Sequence, residues 1–193
     1  MNWSVEPQRT FPTTSGKFEF YSHALDDLLR KKGSNIVSQS ERDADRALLP
    51  HHVELLPPSD AKKFPLVLEP YDPLPFFGSG GREIAYLQQI SSLYGGLEWQ
   101  SWVELTPEDA KVRDLSSGDL VWVESAAGRI RRLALIVEGG MPGIVSAPRA
   151  GAPSTGRWSG GKEEPLADIL APVLDPVLGS RCSAATRVSI YKA

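Results

Sequence analysis

Alternation with a period of two, rather than long helical stripes, marks the later two thirds of this chain. Over residues 119–124, Leu120 and Trp122 alternate with Val121 and Val123; over 186–192, Val188 and Ile190 alternate with Arg187, Ser189 and Tyr191. Both patterns predict strands with two distinct faces, as in a barrel wall. Residues 129–137 begin with the same alternation and then turn continuously apolar. Residues 64–68 form an apolar run of strand length, expected to be buried on both sides. Residues 101–105 and 144–148 complete a set of six strands.

Helical signals are short. Ser22 is placed to cap a helix over residues 23–32, with Leu25, Leu28 and Leu29 on one face and Lys31, Lys32 and Gly33 as its stop. Residues 82–93 read as a helix with Ile84, Leu87, Ile90 and Leu93 in one stripe. Thr106, Pro107 and Asp109 are the cap, the first position and the first-turn carboxylate of another. Residues 164–170 predict a fourth. Between these lie turns at 71–81 and 139–143, and at Gly118 and Gly128, where the backbone is expected to take shapes that side chains oppose. Upstream, residues 1–21 read as an extended arm with a short edge strand at Phe18–Tyr21, and residues 34–63 as a polar surface connection. The resulting division is an arm over 1–63 and a mainly β domain over 64–193.

Composition narrows the function classes. The 193 residues suit one domain with an arm, and 16 prolines and 17 glycines favour strands and turns. A net charge of −3 is too weak to argue for nucleic acid or an acidic membrane surface. No apolar run approaches the roughly 20 residues of a membrane-spanning helix, and Met1-Asn2-Trp3-Ser4 opens no apolar signal region. Localisation stays open. Cys182 is the single cysteine, so neither an internal disulfide nor a Cys-rich metal site is available, and it reads as a structural thiol. His51 and His52 are adjacent, point apart and lack a third ligand, so they read as a solvated loop. Asp109 and Asp119 sit where a helix start and a turn want an anion, so no residue is assigned as catalytic.

The order and spacing of Pro107, Asp109, Ala110, Gly118, Asp119, Val121, Val123, Ser125, Gly128, Pro142 and Gly143 resembles the C-terminal molybdopterin dinucleotide-binding domain of the molybdopterin oxidoreductases, the DMSO reductase family. Two further stretches extend the likeness. Residues 11–22, F-P-T-T-S-G-K-F-E-F-Y-S, resemble the segment that enters this domain, and 174–192 resemble its close. Both look most like the polysulfide, thiosulfate and tetrathionate reductase branch. The resemblance implies a six-stranded double-psi β-barrel with short flanking helices. It further implies that the chain grips part of a bis(molybdopterin guanine dinucleotide) cofactor without holding the metal, because metal and iron–sulfur ligands belong to other domains. Partners implied are the remaining domains of the catalytic subunit, together with iron–sulfur and membrane subunits; the chain alone is expected to be inactive.

By position, the resemblance places three segments against the cofactor: residues 69–81, 88–100 and 151–161. Within them Tyr71, Gly78, Gly80, Gly151, Thr155, Gly156, Arg157 and Trp158 are the candidate contacts. The glycines around Gly78 and Gly80 either cradle a phosphate with backbone N–H groups or form a plain turn. Arg157 offers a planar fork of donors in a Gly/Ser loop, and Trp158 a ring to stack. Arg129, Arg131 and Arg132 are basic, but Arg129 and Arg131 share one strand face, which makes a solvated wall the default. The chain departs from the family at two points: Ala152 replaces a histidine, and Glu164 replaces an asparagine before Pro165. A carboxylate facing an electron-rich pterin and phosphates is unfavourable. That departure supports an alternative, a cofactor-free barrel acting as an interaction module for a partner subunit.

Overall fold

The computed structural model describes residues 11–32, 48–50, 61–152, 164–171, 173–174, 180 and 186–193. The chain divides into two units, one holding the described residues up to Pro50 and the other those from Ala61 onward.

In the first unit Ser22 caps helix α1, His23–Lys32, as its hydroxyl accepts from the Leu25 N–H at 3.3 Å. Arg30 pairs with Asp26 one turn earlier at 2.7 Å. No strand forms over Phe18–Tyr21. The preceding segment bonds to itself instead: the Gly16 N–H donates to Thr13 O at 3.1 Å, and the Ser15 N–H to Glu19 Oε1 at 2.9 Å. Such local bonds compete with a sheet ladder. The rings of Phe11, Phe18 and Phe20 then meet edge to face at 5.8 and 4.9 Å. The expected surface connection over 34–63 mostly lies outside the described residues. Leu48 within it is buried, and its carbonyl accepts from the Ser22 N–H at 3.0 Å.

The second unit is a closed six-stranded barrel: β1 Leu66–Tyr71, β2 Trp102–Leu105, β3 Leu120–Glu124, β4 Arg129–Ile136, β5 Ile144–Pro148 and β6 Thr186–Lys192. Around the wall the order is β1-β5-β2-β4-β3-β6. β1 runs parallel to β5 and β2 parallel to β4; the other neighbours are antiparallel. The fold is mainly β, as the pattern predicts. Closure leaves no free edge, which suits strands this short. Each strand contributes two buried apolar side chains, two residues apart or four on β4, to the core: Leu66 and Leu68, Val103 and Leu105, Val121 and Val123, Ile130 and Ala134, Val145 and Ala147, Val188 and Ile190.

β1 corrects one expectation. It begins two residues later than the apolar run, and its burial alternates, with Glu69 exposed, because a barrel wall has one inner face. Helix α2 is a larger correction. It spans only Ala85–Gln89 and gives way to a 3-10 turn, Ser91–Tyr94, which ends in left-handed Gly95. Ile84 and Leu93 of the expected stripe are exposed, and the buried residues are Gln88 and Ser91. Packing there is decided by hydrogen bonding. Helix α3, Pro107–Val112, follows the expected cap, with the Asp109 N–H donating to Thr106 Oγ1 at 3.2 Å. Asp109 Oδ2 also accepts from the Gly143 N–H at 2.8 Å, so this carboxylate ties α3 to the turn before β5. Gly118 takes φ +92°, whereas Gly128 takes no left-handed shape; a Cβ there would meet Asp168 O at 3.4 Å. The expectation of an opposed backbone holds for the first and fails for the second.

Candidate functional site

Strand direction gathers the candidate segments at one end of the barrel. β1 and β5 are parallel, so residues after Tyr71 and after Pro148 emerge together. β2 is antiparallel to β5, so the residues before Trp102 enter at that same end. The Arg149 N–H donates to Tyr71 O at 2.8 Å, and the Arg149 side chain lies 3.8 Å from Asp72. All three segments implied by the resemblance therefore start or finish here. α3 and the turn after β4 sit at the opposite end.

Gln88 ties the second of those segments to the third, and to Arg82 just after the first. It is fully buried, donates to Arg82 O at 2.8 Å and to Gly151 O at 2.9 Å, and accepts from the Trp99 N–H at 2.9 Å. Trp99 carries φ +60°, a left-handed shape that costs a non-glycine residue about 1–2 kcal/mol unless its surroundings hold it. A Cβ on Gly151 would stand 2.6 Å from Gln100 O, so only glycine fits this close approach. The next N–H, of Ala152, donates to Ser101 Oγ at 3.1 Å.

Tyr71 lies on the outer face of the wall. Its hydroxyl donates to Glu104 Oε1 at 2.5 Å, and that oxygen also accepts from Trp102 Nε1 at 3.0 Å. Burial, and then the Glu104 carboxylate, hold the Tyr71 proton well above the ordinary tyrosine range. The tie commits the phenol to the wall and turns it away from free solvent. Gly78 lies in the 3-10 turn Leu74–Ser79 with φ +63° and open space around it, and Gly80 follows, exposed. α2 starts only at Ala85 and is five residues long, so these glycines do not sit at a helix N-terminus as expected. Thr155, Gly156, Arg157 and Trp158 lie outside the described residues, as do His51, His52 and Cys182.

Glu164 is engaged with the barrel. Its carboxylate accepts from the Arg131 N–H at 2.5 Å and from the Arg131 guanidinium at 3.2 and 3.1 Å. Arg132 is almost fully buried at a register opposite Val121, and donates to Glu164 O at 2.7 Å. The negative charge thus meets a fork of donors on β4. Arg129 and Arg131 do share the outer face, where both lie over the Trp122 ring at 4.3 and 5.6 Å. Among the described residues no group of three or more His, Cys, Asp or Glu side chains is arranged to hold a metal ion, and no helix is long and apolar enough to cross a membrane.

The family model for the molydopterin dinucleotide binding domain matches residues 88–186. This stretch is just over half of the 193-residue chain. The chain belongs to that family. It is similar to the arsenate respiratory reductase molybdopterin-containing subunit of Chrysiogenes arsenatis, 28% identical over 149 residues, covering 72% of this chain and 18% of the relative. It is also similar to a sulfite dehydrogenase subunit of Allochromatium vinosum, 27% identical over 154 residues, covering 70% of this chain and 15% of that one. Among solved structures, acetylene hydratase from Pelobacter acetylenicus shares the fold with a TM-score of 0.63 and 23% identity, over 97% of this chain and 26% of that chain. The chain spans less than a fifth of the curated relatives it matches.

The described residues fit a cofactor of this kind. The end of the barrel offers an open left-handed turn at Gly78, a glycine at 151 with backbone packed against backbone, and a Glu164 charge already neutralised. Sequence reasoning named the segment that contains Gln88 but not its role. The available signal was two adjacent glutamines, Gln88 and Gln89, inside an otherwise apolar helix, where a buried amide needs partners.

Proposed function

We propose that this chain is the cofactor-binding C-terminal portion of a larger molybdopterin-dependent oxidoreductase, with residues 1–63 as the arm that leads into the barrel at 64–193. The observation that carries the reading is the family match over 88–186, which includes two of the three segments meeting at one barrel end. The group to be held is molybdopterin guanine dinucleotide, as half of a bis cofactor. When bound, it supplies the redox chemistry. The chain supplies grip and orientation: backbone N–H groups around Gly78, Gly80 and Gly151, with Tyr71 fixed in the wall beside them. The side chains of Thr155, Arg157 and Trp158, and the close approach allowed by Gly156, complete the set. Without further domains the chain is catalytically inert. Five large apolar side chains lie exposed within residues 74–94: Leu74, Ile84, Tyr86, Leu93 and Tyr94. Such exposure fits a surface that the remaining domains of the catalytic subunit cover. Iron–sulfur and membrane subunits complete the assembly in this reading.

Arg157→Ala in the intact protein tests it. Pterin retained per folded molecule, read as fluorescence after oxidative release, should fall while the melting temperature stays within about 2 °C, since a substitution that removes no packing is worth about 0.5 kcal/mol or less. Full retention would remove Arg157 and its loop from the site. The cofactor-free alternative loses its support from Glu164, whose carboxylate is paired with Arg131.

A further inference from the structure

Gln88 spends its side chain on the main chain of three separate segments. The carbonyl of Arg82 is six residues away, the N–H of Trp99 eleven, and the carbonyl of Gly151 sixty-three. Two donors and one acceptor at the end of a two-carbon stem are what this junction requires. Glutamate lacks the donors, lysine and arginine lack the acceptor, and methionine, of nearly equal volume, has neither. The amide has no exposure, so each bond it gives up leaves a buried polar group without a partner. The junction is reinforced next door, where Ala152 donates to Ser101 Oγ and Gly151 abuts the Gln100 carbonyl.

We infer that Gln88 is the positioning residue for cofactor binding: it sets the spacing of the main chain at Arg82, Trp99 and Gly151, at the barrel end where the candidate segments lie, without touching the cofactor. The inference rests on the proposed function. It adds that one buried amide bonds to all three of these main-chain points, so that grip is a property of their spacing as well as of the loops' own side chains.

The test uses the intact protein with Gln88→Met, Gln88→Glu and, as a control, Val188→Ala in the barrel core. Three quantities are measured: melting temperature, retained pterin per folded molecule, and amide hydrogen exchange of peptides covering 82–84, 99–101 and 149–152. Gln88→Met should speed exchange in all three peptides together by tenfold or more and lower retained pterin severalfold. Gln88→Glu, which keeps the acceptor facing Trp99, should loosen 149–152 more than 99–101. Val188→Ala should lower the melting temperature yet retain its pterin. Pterin retained in full by folded Gln88→Met, or exchange raised in one peptide only, overturns the inference; pterin lost equally from Val188→Ala reduces Gln88 to a stability residue and overturns it too. Should wild type itself hold no pterin, the proposed function fails, and the exchange pattern alone decides whether Gln88 spaces the loops. Should Gln88→Met not fold, Gln88→Glu carries the same comparison.

Discussion

Replacing Gly151 by alanine tests whether the segments at the open end are packed backbone to backbone. The new Cβ would stand 2.6 Å from Gln100 O, 2.8 Å from Ser101 Oγ and 3.0 Å from Ser101 Cα. Carbon contacts are comfortable at about 3.5–4.0 Å, so the chain must open by roughly 0.5–1 Å. Overpacking of this kind costs about 1–3 kcal/mol. Opening also strains two hydrogen bonds, Gln88 Nε2 to Gly151 O at 2.9 Å and Ala152 N to Ser101 Oγ at 3.1 Å. Each is worth about 0.5–1.5 kcal/mol. Alanine returns about 0.4–1 kcal/mol by restricting the unfolded chain. The net expectation is a loss of about 2–4 kcal/mol, which at this chain length lowers the melting temperature by roughly 5–15 °C. Gly139→Ala is the matched control, since a Cβ there meets nothing within 4 Å. It should stay within about 0.5 kcal/mol of wild type. Thermal unfolding followed by near-UV circular dichroism reads both. Equal melting temperatures for the two variants would show that residues 100–101 and 151 do not approach as described, and would remove the basis for the close approach at this end.

Two further outcomes follow from paired carboxylates. Glu164→Gln should change stability by less than about 1 kcal/mol, as expected for a half-exposed ion pair, and should leave pterin retention unchanged; a marked gain in retention would mean that the charge does face the cofactor. Tyr71→Phe removes the bond to Glu104 and should cost about 1–3 kcal/mol at pH 8. The proton on Tyr71 is held more tightly in the folded chain, so its contribution is complete below the ordinary tyrosine value of 10.0 and declines as pH rises above it. The stability gap between wild type and Tyr71→Phe should therefore narrow above pH 10.0, and a gap that widens there would contradict the assignment.

How much of the barrel was legible follows from what each strand obeys. β5 and β6 match their expected limits, and β2, β3 and β4 differ by one residue at an end, because period two survives wherever one face is buried. The cap at Thr106 was legible for a local reason: Thr106, Pro107 and Asp109 satisfy a helix start among themselves. The stretch 82–93 was misread because periodicity reports only apolar burial. Here the buried face is made by Gln88 and Ser91, and the apolar Ile84 and Leu93 point outward. A hydrophobic stripe assigns the wrong face whenever a segment is held by a polar junction instead of by the core.

The same reasoning applies to Glu164, whose partner is not legible along the sequence. Read along the sequence, a carboxylate in place of asparagine sits in a segment expected to face phosphates, and the charge argues against binding. In the structure the carboxylate has a partner that is distant in sequence. β4 brings Arg131 to Glu164, with its N–H and its guanidinium both donating to the carboxylate, while the buried Arg132 takes the Glu164 carbonyl. Both arginines were visible, but their alternation on one strand shows only that Arg131 faces outward and Arg132 inward. That both reach one residue thirty-odd positions later depends on how residues 164–170 cross the barrel end, where the Ser125 hydroxyl takes Ile169 O at 2.7 Å. An asparagine at 164 would bond this wall through a neutral amide. Glutamate bonds it through charge, with Arg131 as its partner, so the substitution changes how the segment is fastened to β4.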